Sequence, residues 1–67
     1  LKEVMTNSVK EARQKKELTQ VQLAEQVNVS RQTIISIETN RYIPSVELSL
    51  KLAKALGKKV EDLFALD

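Results

Sequence analysis

Apolar residues recur along this chain at helical spacing, in short bursts separated by polar residues of the kind that start and stop helices. Ser8 with Glu11 three residues on fits a reciprocal capping box, and a first helix over 9–16 follows with Val9, Ala12 and the stem of Lys16 on one face. Thr19 with Gln22 fits a second capping box, opening a helix over 20–27 that presents Leu23, Ala24 and Val27 together. Asn28 suits a left-handed stop, and Ser30 an N-cap for a helix over 31–39 with Ile34 and Ile37 inward. Asn40 is a second left-handed stop. Pro44 and Ser45 open a helix over 46–56 that ends at Gly57. Its main stripe reads as Val46, Leu52, Ala53 and Leu56, with Leu48 and Leu50 off it. A short helix over 60–66 has Val60, Leu63 and Phe64 to bury, and residues 1–6 are expected to be irregular. The expected fold is all-α: one compact domain, 1–67, of five helices joined by short connections.

Composition narrows the chemistry. The chain has one Gly and one Pro, too few turn formers for an all-β fold, and neither Cys nor His. A disulfide, a thiolate or imidazole zinc site and the commonest general base are therefore excluded. There is no carboxylate pair in a recognisable cleft, Glu61–Asp62 reading as first-turn residues of the last helix, and no Gly-rich phosphate loop, so an enzyme is not expected, nor a metal, a cofactor or a small-molecule effector. Nothing approaches the roughly 20 apolar residues of a membrane span, and a cytoplasmic location is expected. Eleven Lys and Arg against nine Asp and Glu give a net charge of +2. The charge is unevenly spread: Lys10, Arg13, Lys15 and Lys16 form one basic stretch, Lys51, Lys54, Lys58 and Lys59 another, and Glu61, Asp62 and Asp67 an acidic end.

The informative stretch is 20–39. Two eight-to-nine-residue helices meet at a turn on Asn28–Val29. Helices crossing at about 90–120° need a small side chain between them, which Ala24 supplies, and a sharp turn needs a positive φ, which Asn tolerates. Leu23, Val27, Val29, Ile34 and Ile37 pin the second helix and leave its opposite face open to a major groove. Together with LTQVQLAEQVNVSRQTIISIETNRYIPS (18–45) and LKLAKALGKKVEDLF (50–64), this resembles the Cro/lambda-repressor-like helix-turn-helix (XRE) family over about residues 9–64. The sequence departs from that family at Asn28, Asn40 and Glu17, where Gly is common, at Ile35, where a small polar residue is usual, and at Lys59, where a Ser or Thr caps the last helix.

The resemblance implies a lambda-repressor-like DNA-binding domain whose recognition helix, 31–39, reads bases with Arg31, Gln32, Thr33, Ile35 and Ser36. Arg pairs bidentately with guanine and Gln with adenine. Ile35 faces a thymine methyl or packs beneath a side chain such as Tyr42. The family's backbone contacts map onto Gln20, Ser30, Asn40, Arg41 and Tyr42, although Tyr42 could equally cover the core edge. Arg13 and Glu38 occupy the positions of a structural ion pair that orients the recognition helix.

A single domain offers few base contacts, so a homodimer on a palindromic double-stranded operator is expected, acting as a repressor by excluding polymerase. The interface implied is the last helix, with Leu63, Phe64 and Leu66, adjoined by Leu48 or Leu50 and by Leu1, Val4 and Met5. The rival reading is a protein-interaction module of the antitoxin or adaptor type built on the same fold.

Overall fold

The computed structural model describes residues 4–66. The elements run β1 (Met5–Asn7), α1 (Val9–Lys15), α2 (Gln20–Val27), α3 (Arg31–Glu38), α4 (Val46–Leu56), α5 (Val60–Leu63) and β2 (Phe64–Leu66). The five helices enclose a core built mainly from Val9, Leu23, Val27, Ile34, Ile37, Leu52, Leu56 and Leu63. None of the described helices is long and apolar enough to cross a membrane.

Local chemistry explains most helix boundaries. The Thr19 hydroxyl accepts from Gln22 N–H at 3.0 Å while Gln22 Oε1 accepts from Thr19 N–H at 2.8 Å, a complete capping box. Ser30 and Ser45 cap α3 and α4 by accepting from Thr33 and Leu48 N–H, each at 3.1 Å. Asn28, Asn40 and Gly57 take left-handed φ values of 59°, 62° and 65°. Glu17 also adopts φ 56°, where α1 ends and the chain turns into α2. Asn and Gly enter this region at little cost, but a Cβ-bearing glutamate is strained by about 1–2 kcal/mol. Glu17→Gly should therefore raise stability by about 1 kcal/mol, less the extra entropy of the unfolded chain. Thermal denaturation should show it as a rise in Tm of several degrees; a fall in Tm would mean that the Glu17 side chain contributes more than its backbone strain costs.

Four local expectations are corrected. Residues 1–6 are not all irregular, because Met5–Asn7 pairs antiparallel with Phe64–Leu66 in the register Met5↔Leu66, Thr6↔Ala65 and Asn7↔Phe64. The last helix, expected to reach 66, stops at Leu63; Phe64 turns to φ −127° and ψ 135° so that its backbone joins this ribbon. Ser8 does not form a capping box with Glu11. Its hydroxyl donates to Asp62 O at 2.9 Å, and the first turn of α1 is capped by Asn7, whose Oδ1 accepts from Val9 N–H at 3.1 Å. In α4 the inward stripe is Leu48, Ser49, Leu52, Ala53 and Leu56, whereas Val46 is 78% exposed. Two residues are about 200° of helix, so Val46 and Leu48 cannot share a face. Ser49 is tolerated inside because its hydroxyl donates back to Ser45 O at 2.8 Å.

Candidate nucleic-acid interface

Helix α3 is fixed by its apolar side. Ile34 and Ile37 are fully buried, and α3 packs across α2, where Ala24 is also buried. The turn between the two helices closes with Val29 N–H donating to Ala24 O at 3.0 Å around the left-handed Asn28. At about 100° per residue, Gln32, Ser36 and Thr39 then lie opposite Ile34 and Ile37, with Arg31 and Glu38 on one flank and Thr33 on the other. Arg31 and Gln32 are exposed; Thr33, Ile35 and Ser36 are half-buried. A shallow recess beside α3 is lined by Ser30, Gln32, Thr33, Ser36, Tyr42 and Leu48, and a second by Arg13, Thr19, Gln20, Val21 and Arg31. The candidate base-reading residues are thus gathered along one ridge with a hollow on either side.

One flank of that ridge is held by charge. Arg13 Nε donates to Glu38 Oε2 at 2.6 Å and Nη2 to Oε1 at 3.3 Å, a bidentate pair, while Nη1 donates to Leu18 O at 2.8 Å. Gln20 Nε2 adds a bond to Glu38 Oε1 at 3.1 Å. The Glu38 side chain is only 3% exposed, so its charge is offset by three donors rather than by water. These bonds join α1, α2 and the end of α3.

The other assigned residues have mixed placements. Gln20 spends one amide N–H on Glu38 and remains half-buried. The Ser30 hydroxyl caps α3 and lies 3.0 Å from Thr33 Oγ1. The Asn40 side chain, although exposed, is bonded within the protein, its amide donating to Met5 O. The backbone N–H groups of Arg41 and Tyr42 both return to Ser36 O, at 2.9 and 3.2 Å. What this loop offers outward is the exposed Arg41 and Tyr42 side chains.

The residues assigned to an interface are split by the fold. Leu63 is 2% exposed and already belongs to the core, and Phe64 is half-buried against it. Leu66 is 68% exposed at the ribbon's end, opposite Met5 and near the exposed Val4; Leu1 lies outside the described residues. Leu48 is buried, whereas Leu50 is exposed. Sequence reasoning missed that Ile43, Val46 and Leu50 form an exposed apolar run at the start of α4; the phase of that helix, taken from Leu48, Leu52 and Leu56, would have shown it.

Comparison with known proteins matches this geometry. A helix-turn-helix family model fits residues 9–63. A helix-turn-helix-type transcriptional regulator of Methanothermobacter thermautotrophicus is 48% identical over 64 residues, spanning 94% of this chain and 93% of the relative. An immunity repressor protein of Bacillus phage phi105 is 46% identical over 52 residues, or 78% of this chain but 36% of the repressor. A candidate DNA-binding protein from Bacteroides fragilis, known from its crystal structure, superposes with a TM-score of 0.84 at 31% identity, covering 92% of this chain and all of that one.

Proposed function

The chain belongs to the XRE-type helix-turn-helix family of DNA-binding transcriptional regulators, which are not enzymes, and on that premise we propose that it is a repressor binding a palindromic operator as a homodimer with α3 in the major groove. The observation that carries this reading is the two-sidedness of α3: Ile34 and Ile37 are locked in the core while Arg31 and Gln32 stand in solvent at the start of the ridge. That is where the N-terminal residues of a recognition helix meet base edges. Arg31 would take guanine O6 and N7, Gln32 adenine N6 and N7, and Thr33, Ile35 and Ser36 the neighbouring edges. Arg41 and Tyr42 would meet phosphate on one flank and Gln20 on the other, the latter through the amide hydrogen not given to Glu38. Ser30 and Asn40, whose side chains are bonded within the protein, would act at the DNA backbone by shaping its flanks.

Repression follows from occupancy: a protein seated on a promoter keeps polymerase away. The phage immunity repressor supports that choice over activation, through the part of it that this chain matches. The deciding experiment is selection from random duplexes at about 150 mM salt, where counterion-driven binding is suppressed. An enriched inverted repeat with half-sites about one helical turn apart is expected. Weak, salt-sensitive binding without enrichment would replace this reading with that of a protein-interaction module.

A further inference from the structure

We infer that Asn7 and Asn40 are positioning residues for the recognition helix, forming an amide clamp that ties the C-terminal turn of α3 to the β-ribbon. The inference rests on the proposal that α3 reads DNA; it adds Asn7 and gives Asn40, assigned above to the DNA backbone, a role within the protein. Asn7 ends β1. Its Nδ2 donates to Ile37 O at 3.0 Å and comes within 3.5 Å of Asn40 Oδ1, while its Oδ1 accepts from Val9 N–H at 3.1 Å. Val9 N–H can only donate and Ile37 O can only accept, so these two partners fix which way the amide points. In return, the Asn40 amide donates to Met5 O, at the other end of β1. One side chain thus caps α1 and holds α3, and a second holds β1 against the turn that follows α3.

The ribbon is itself anchored. Ser8 N–H donates to Leu63 O at 2.8 Å, and the register brings Asn7 opposite Phe64, whose neighbour Leu63 lies in the core. The clamp therefore stands on the far end of the chain rather than on the helix-turn-helix unit. Its effect is mechanical. The start of α3 is set by Ser30 and the Asn28 turn, but base contacts need side chains held within about 0.5 Å and 10–20°. At the end of α3 the Arg13 pair holds the Glu38 side chain, and the clamp adds bonds to the backbone of that last turn and to the turn after it. There Asn7 gives a second donor to the Ile37 carbonyl, which already accepts from Asn40 N–H at 3.0 Å, so the side chain and the turn after α3 meet on one oxygen.

Two variants of the full chain separate this role from simple structure. Asn7→Asp keeps an acceptor for Val9 N–H, and a negative charge is welcome at the start of α1, but it removes the donor to Ile37 O. Asn40→Gly keeps the left-handed backbone at no steric cost and removes the donor to Met5 O. Both should remain folded. In each, amide exchange at Thr39, Asn40 and Arg41 should accelerate about tenfold or more while Leu23 and Val27 in α2 keep their protection. Preference for the selected operator over random DNA should fall about tenfold, the scale of one lost base contact. Unchanged exchange at the end of α3 would overturn the clamp. Faster exchange with an unchanged preference would overturn its positioning role, leaving a structural tie. A wild-type chain without sequence preference would overturn the DNA-reading proposal, and the clamp's positioning role with it; a preference that both variants retain would overturn the positioning role alone.

Discussion

Arg13→Ala is expected to cost about 3–5 kcal/mol, because it leaves the Glu38 carboxylate buried with only Gln20 to face it. A chain of this size has a total stability of about 3–10 kcal/mol, at 0.05–0.15 kcal/mol per residue. The substitution should therefore lower the urea midpoint drastically and leave much of the protein unfolded at room temperature. The loss is a penalty for stranding a charge, not a measure of what the pair contributes. Arg13→Met with Glu38→Leu should for that reason recover most of it, since well-packed apolar side chains commonly replace a buried ion pair without loss. Recovery will be incomplete, because Leu18 O and the Gln20 amide lose partners too. A single variant within 1 kcal/mol of wild type would show that water reaches Glu38 and that the pair does not hold α3. A double variant no better than the single one would show that the Arg13 stem, rather than its charge, supports the junction of α1, α2 and α3.

Arg31→Ala is expected to weaken binding to the selected operator by about 1–3 kcal/mol per half-site, while binding to random duplexes changes little. A symmetric dimer counts the loss twice. Arg41→Ala provides the contrast. Its side chain is exposed on a loop whose backbone donors are already spent on Ser36 O, so a phosphate is its natural partner. Its removal should weaken all sequences alike and reduce the salt slope by about one per site. The two variants are to be compared by titrating specific and random duplexes over a range of salt. An unchanged ratio for Arg31→Ala would remove it from base reading; a sequence-dependent loss for Arg41→Ala would move that residue into the groove.

The contrast between Arg13 and Arg31 reflects where each kind of information lies in the sequence. The span of the three central helices, the caps at Thr19, Ser30 and Ser45 and the left-handed turns at Asn28, Asn40 and Gly57 were all legible there. So were the buried faces of α2 and α3, and hence the outward position of Arg31 and Gln32. Spacing alone could not join Arg13 to Glu38; the family resemblance supplied that pair, and the structure adds its third donor, Gln20. The inward stripe of α4 was misread because Val46 is apolar and stands next to the cap. Val46 lies only about 20° of helix from the buried Ala53, seven residues on, so phase against that residue did not exclude it; it is exposed because it stands in the first turn, ahead of the packed stripe.

Sequence by itself determined whatever depends on bonds between residues a few positions apart: where each central helix begins, where it is stopped and, for α2 and α3, which face is apolar. Tertiary structure alone decided what depends on the two ends of the chain meeting. Met5–Asn7 and Phe64–Leu66 carry no strong strand signal, and each becomes a strand only because the other lies beside it. That meeting ends α5 at Leu63, leaves the Val9 N–H at the start of α1 to the Asn7 side chain rather than to a Ser8–Glu11 box, and ties the Asn40 side chain to β1. The physical reason is one of range. A capping bond forms within a single turn of the chain that encodes it, whereas a ladder between distant strands forms only after the core between them has brought their backbones together.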